Sequence, residues 1–170
     1  MRKLGGLVLS LLLASGACSS KDQSPPRQVT PAPKAKAEPT GLRLISVPYN
    51  IRSAEKFIVE ARAKATRASR QLLVYVGATW CAPCVIFIDA VKAGKLNTTF
   101  PKLDLVKLDY DRHRVIIEPA GYLTKYVPLF ARPKADGSSS TERFMGAPKG
   151  AKGLTSIVKR LKGLLRAGRE

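Results

Sequence analysis

The stretch VYVGATWCAPC, residues 74–84, sets two cysteines three positions apart, directly after an apolar run and at the start of a segment with helical spacing. Residues 71–77 (QLLVYVG) show no polar alternation, as expected of a strand covered on both faces. A break at Ala78, Thr79 and Trp80 follows, and residues 81–93 return to helical spacing through Ile86, Ala90 and Ala93. Cys81 therefore falls where a helix begins. The first N–H groups of a helix lack intrahelical partners, and the aligned peptide dipoles favour negative charge there. A thiolate at Cys81 is expected to form below the pKa of about 8.5 of a free thiol. Thiolate is the attacking species in thiol–disulfide exchange. Cys84, one turn further on, is close enough to attack a mixed disulfide formed at Cys81. Pro83 falls early in the helix, where it forfeits no hydrogen bond.

Working outward, residues 42–170 read as a single α/β unit without an obvious repeat. Residues 42–47 are a short strand candidate. Residues 53–69 read as a helix, with Ala54, Phe57, Ile58, Ala61, Ala65 and Ala68 at spacings of three and four and Glu55 in the first turn. Residues 103–109 (LDLVKLD) are a strand candidate. Residues 115–126 form a helix candidate in which Pro119 is expected near the start or at a kink. Residues 128–135 and 141–145 flank Asp136, Gly137 and Ser138, a hairpin signal, and Pro133 is expected to mark a bulge. Residues 153–166 close the chain as a helix with Leu154, Ile157, Val158, Leu161, Leu164 and Leu165 on one face. The order β-α-β-α-β-α-β-β-α implies a mixed central sheet flanked by helices on both faces.

The motif and this order together resemble the thioredoxin superfamily, over residues 42–166. Val127-Pro128 resembles the family pair whose proline is cis and faces the cysteines, and residues 134–165 resemble its closing hairpin, glycine and helix. The resemblance implies a thioredoxin fold and a redox couple in which Cys81 attacks and Cys84 resolves, with no separate cofactor and no metal. It also implies a docking groove shaped by Val127 and Pro128 and bordered by Trp80, Ala82 and Pro83. Family reductases usually carry a buried acid in the strand before the motif, a proton acceptor for the resolving cysteine; Tyr75 stands there in this chain. Lys107 matches a lysine that many members place near that acid. Without the carboxylate it would favour thiolate, so it is expected to tune the cysteines. The glycine usual before the cis-proline is missing.

Residues 1–17 read as a secretory signal: Arg2 and Lys3 form a positive head, residues 4–13 an apolar stretch and residues 14–17 a run of small residues. The apolar run is about half the roughly 20 residues that a spanning helix needs. Cys18 directly after it resembles the bacterial lipobox cysteine, whose thiol is lipidated, although Ser15 stands where Leu is usual. Signal cleavage with an incidental Cys18 is the alternative. Residues 18–41, with five prolines from residue 19 onward, read as a tether that cannot bury enough surface to offset ordering entropy. Export places the protein outside the cytoplasm, as a membrane-anchored lipoprotein facing the periplasm or extracytoplasmic space.

The 30 Lys and Arg against 12 Asp and Glu give a formal charge of +18, a surface suited to anions. Export argues against nucleic acid as the partner. The partners expected are cysteine-containing envelope proteins and an electron donor or acceptor. On the last helix Lys152, Lys159, Arg160, Lys162 and Arg166, with Arg169 beyond it, read as a solvated face or as an attraction to anionic lipid. Three readings of the cysteines stay open. The first is a thiol–disulfide oxidoreductase. The second is a copper-handling protein using Cys81, Cys84 and His113, the sole histidine, which otherwise reads as a solvated loop residue beside a solvated Asp109 and Asp111. The third is a docking module that does not use its thiols. Zinc wants four ligands, commonly two such pairs, and the sequence has no second pair.

Overall fold

The computed structural model describes residues 40–167. Nine elements follow in chain order: β1 (Gly41–Ser46), α1 (Ala54–Arg67), β2 (Gln71–Gly77), α2 (Ala82–Lys92), β3 (Lys102–Asp109), α3 (Arg114–Ile117), β4 (Leu129–Pro133), β5 (Ser139–Met145) and α4 (Ala151–Ala167). They build a five-stranded sheet in the order β1-β3-β2-β4-β5. The first three of these strands are parallel, and β4 and β5 are antiparallel to their neighbours. This mixed sheet, covered by helices on both faces, is a thioredoxin fold. The order of elements agrees with the order read from the sequence.

Strand alternation explains the two cores. Leu73, Tyr75, Leu103 and Leu105 point to one face, where Phe87 of α2 and Ile157 and Leu161 of α4 cover them. Leu72, Val74, Val76, Val106 and Leu108 point to the other, under Ile58 and Ala61 of α1 and Ile117 of α3. With both faces of β2 buried, its lack of polar alternation is accounted for. Helix α1 begins where Ser53 Oγ accepts from the Lys56 N–H (3.2 Å) and donates to Glu55 Oε2 (2.7 Å).

One expectation is corrected. The helix expected over residues 115–126 is only four residues long, Arg114–Ile117. Pro119 offers no N–H and its ring would meet the carbonyl four residues back, so the helix cannot run through it. The chain turns instead and buries Ala120 and Tyr122 separately. Tyr122 donates through its hydroxyl to the Gly137 carbonyl (2.9 Å), which pins the β4–β5 turn. Pro133 marks a break in the β4–β5 register, as expected of a proline in an edge hairpin.

The ends of β1, β3 and α1 are tied together by a buried carboxylate that the hydropathy pattern does not reveal. Asp104 accepts from Arg43 Nε (2.8 Å) and Nη2 (2.7 Å) and from Arg70 Nε (2.7 Å). Arg70 also donates to the Leu103 carbonyl (3.0 Å). The side chains of Arg70 and Asp104 are almost fully enclosed. Removing one member of such a pair strands the other charge away from water, which costs far more than an exposed pair contributes. Asp104→Ala is therefore expected to lower unfolding stability by about 3–5 kcal/mol, read as a shift of the urea midpoint; an unchanged midpoint would refute this account of the cluster.

Candidate functional site

The site forms where β2 hands over to α2. Gly77 ends the strand, and after three intervening residues Cys81 serves as the N-cap of α2. Its own N–H donates to the Ala78 carbonyl (3.3 Å), and its carbonyl accepts from the Val85 N–H (3.0 Å), so the junction is fixed on both sides. The Cys84 N–H donates to Cys81 Sγ at 3.3 Å. The first turn of α2 carries no acidic residue, and Pro83 occupies it without loss of a donor.

Cys81 and Cys84 are joined as a disulfide with their Cα atoms 5.2 Å apart. Both are buried, Cys84 at 1% exposure and Cys81 at 6%, and the Cys81 sulfur lies 3.7 Å from the Val127 carbonyl oxygen. Val127-Pro128 is a cis peptide bond. Because β4 runs antiparallel to β2 with Leu129 opposite Val76, the residues just before β4 arrive at the same edge as the cysteines. The chain thus brings Val127 and Pro128 close to Cys81. Ala82 is exposed beside them and Pro83 is buried.

Trp80 is 65% exposed, packs edge-on against Tyr110 (6.2 Å) and donates through its indole N–H to Asp111 Oδ2 (2.8 Å). Asp111 and Asp109 are therefore not simply a solvated strand end. Asp109 Oδ1 accepts from the Asp111 N–H (3.1 Å) and the Arg112 N–H (2.9 Å), closing the turn after β3. A sequence signal existed in the Asp-x-Asp following a strand, a common turn-former, but nothing in it pointed to the indole. Tyr126, next to Val127 in the chain, is also exposed.

Tyr75 and Lys107 pair in register across β2 and β3, with Gly77 opposite Asp109 two residues on. The Tyr75 ring joins an aromatic stack with Phe87 (5.6 Å) and Phe130 (5.1 Å). Any side chain at residue 77 would collide with the Tyr75 hydroxyl, so Gly77 is what lets the ring lie along the strand. A cleft of about 190 Å³ opens beside Cys84, lined by Tyr75, Gly77, Cys84, Lys107 and Asp109 among others.

His113 departs from expectation. It is 2% exposed rather than solvated, caps α3, accepts from the Asp109 N–H at Nδ1 (2.8 Å) and stacks on Tyr49 (5.1 Å). No group of three His, Cys, Asp or Glu side chains placed to hold a metal ion occurs among the described residues. Arg160 is likewise not on the solvated face of α4. It donates to the Gly146 carbonyl (2.7 Å) and lies over the Phe144 ring (4.3 Å). Cys18, the signal of residues 1–17, most of the tether and Arg169 lie outside the described residues.

Solved structures similar to this chain include thioredoxins. Thioredoxin O1 of Arabidopsis thaliana, in its oxidised state, is 24% identical, with 75% of this chain and 96% of that one covered and a TM-score of 0.45. The thioredoxin of Trypanosoma brucei brucei is 17% identical (73% and 92% covered, TM-score 0.45). A poplar thioredoxin h is 21% identical (74% and 96% covered, TM-score 0.44). No family model and no curated protein matches the chain.

Two buried phenols give the fold a pH dependence of known sign. Burial first, then the charge of Asp109, holds the Tyr75 hydroxyl protonated well above its ordinary value of 10.0. Burial, with Asp136 and Glu55, does the same for Tyr122. Unfolded, both titrate at about 10. Below that pH neither state has lost the proton, and their contribution is fully present. Above it the unfolded chain releases protons that the folded chain retains, so stability falls as pH rises. Urea midpoints measured from about pH 9 to 11 should decline, and Tyr75→Phe should make the decline shallower; an equal slope would contradict the assignment.

Proposed function

We propose that the protein is a thiol–disulfide oxidoreductase acting on cysteine-bearing proteins of the cell envelope, carried there by an export signal and anchored by lipid on Cys18. The observation that supports the reading best is the Cys81–Cys84 disulfide at a helix N-terminus, with the Cys84 N–H directed at Cys81 Sγ and the Val127 carbonyl beside the same sulfur. When the disulfide is open, that N–H and the unpaired amides of the first turn favour sulfur as an anion.

The reaction balances as follows. The Cys81 thiolate attacks one sulfur of a client disulfide, forming a mixed disulfide and expelling the client's other sulfur as thiolate. Cys84 loses its proton and attacks Cys81 Sγ. The intramolecular disulfide closes, the second client sulfur leaves, and two electrons have passed to the client. Run in reverse, the same steps oxidise a client dithiol. The backbone of Val127 offers an extended client segment a place to pair beside the reacting sulfur, and Trp80 provides an apolar wall. A separate thiol or disulfide partner resets the couple. Its reduction potential decides the direction: near about −270 mV the protein serves as a reductant, near about −120 mV as an oxidant.

The copper reading has little geometric support: His113 is enclosed, its Nδ1 accepts from the Asp109 N–H, and no group of three possible metal-holding side chains occurs among the described residues. The envelope address rests on the positive head, the apolar stretch and the small residues before Cys18.

Two experiments test the reading. Insulin reduction with dithiothreitol as electron source is expected to be accelerated by the protein and abolished by Cys81→Ser, while Cys84→Ser should trap covalent client adducts that reducing agent releases. Activity that survives Cys81→Ser would remove the mechanism. Labelled palmitate fed to expressing bacteria should enter the wild type and not Cys18→Ala, and the variant should leave the membrane fraction; label retained by the variant would refute the anchor.

A further inference from the structure

Cys84 must become a thiolate to close the disulfide, yet it is among the most enclosed side chains of the site. A thiol buried among apolar groups is reluctant to ionise. Its proton needs an acceptor and a path. Around Cys84 most of the surroundings are apolar, with Tyr75, Phe87, Ile88 and Phe130 in the same cluster. The cleft is the exception. At about 190 Å³ it has room for several waters, since one needs only about 15 Å³. Its ionisable walls are Tyr75, Asp89, Lys92, Lys107 and Asp109.

These groups are not equivalent. Asp89 and Lys92 are exposed, further along α2 and beyond its first turn. Lys107 carries a positive charge and cannot take a proton in that state. Tyr75 is held in its neutral form, so its hydroxyl can pass a proton on but cannot keep one. Asp109 remains. It is half-buried and sits opposite Gly77 in the sheet register, at the position into which the Tyr75 hydroxyl reaches. Its Oδ1 is occupied by two backbone N–H groups of the turn, whereas Oδ2 has no protein hydrogen bond among the described residues.

We propose that Asp109 is the proton acceptor for Cys84, reached through the cleft with the Tyr75 hydroxyl and water as the relay. This rests on the reading of Cys84 as the resolving thiol. In the resolving step the Cys84 proton moves into the cleft as the new S–S bond to Cys81 forms. A proton arrives at Asp109 Oδ2, the client sulfur leaves as thiolate, and Asp109 later returns the proton to bulk water. No further oxidant or reductant is involved. Asp109 does not touch the reacting sulfurs; it acts through the relay.

The test separates the two thiol steps. The reduced full chain carrying Cys18→Ser, so that no third thiol reacts, is mixed with one equivalent of Ellman's reagent, and release of the coloured thiolate is followed by stopped flow. The first release reports attack by Cys81, and the second reports closure by Cys84. Asp109→Asn keeps an oxygen for the two turn N–H groups but removes the base. It should slow the second release by roughly 100-fold at neutral pH, the usual worth of a positioned base, while the first changes less than about two-fold. Its second-step rate should climb about ten-fold per pH unit, as hydroxide takes over, where the wild type is flatter. Tyr75→Phe should slow the same step and spare the first. A wild-type pH profile in Asp109→Asn, or equal slowing of both releases, overturns the assignment. If the wild type shows no first release, the oxidoreductase reading fails and takes this one with it; a normal first release with an unaffected second sinks the role of Asp109 alone.

Discussion

The sulfur of Cys81 stands at the point where α2 begins, and the rest of the site is arranged around holding it there. Magnitudes show why position matters more than residue type. A helix dipole stabilises a charge at an exposed end by about 0.3–1 kcal/mol, which changes ionisation by less than about ten-fold. A hydrogen bond to a charged group adds about 1.5–3 kcal/mol. The Cys84 N–H aimed at Cys81 Sγ therefore outweighs the dipole, and it exists only because Cys81 is the N-cap rather than the first helical residue.

Topology supplies the second half of the site. Parallel pairing of β2 with β3 puts their C-terminal ends on one edge of the sheet. That edge receives Trp80 and the cysteines from β2 and the Asp109–Arg112 turn from β3, and the indole–Asp111 bond joins the two loops. The antiparallel β4 then delivers its beginning, with Val127 and Pro128, to the same edge. At the opposite end the buried Asp104 with Arg70 and Arg43 ties β3 to β1 and to the end of α1. The charges that hold the fold and the groups that do the chemistry are thus separated by the length of the strands.

How much of this could be read in advance depended on the reach of the interactions. The order of elements and the N-cap position of Cys81 were legible because hydropathy period, helix caps and turn residues are local. Residues 115–126 misled because helical spacing there is real, yet Pro119 ends the helix after four residues and the apolar side chains are buried by the turns instead. His113 read as solvated among Asp111, Arg112 and Arg114, since nothing local reveals that Tyr49, from the turn after β1, covers the imidazole. Asp104 in LDLVKLD sits where alternation suggests a polar, outward position, while its neighbours Arg43 and Arg70 come from distant segments. Long-range polar pairing leaves no period to find.

The exchange at the heart of the sheet is one of charge placement. A carboxylate at residue 75 would lie on the central strand under α2 and carry the full penalty of desolvation. A phenol there stays neutral, fills the space left by Gly77 and completes the stack with Phe87 and Phe130, so the strand gains packing and loses no solvation. The acid then has to stand where water reaches it, and Asp109, half-buried at the end of β3, meets that condition with Lys107 two residues before it. Its two oxygens divide the work. Oδ1 holds the turn that carries Asp111 to Trp80, and Oδ2 is left for a proton, so protonation need not loosen the loop that borders the reacting sulfur.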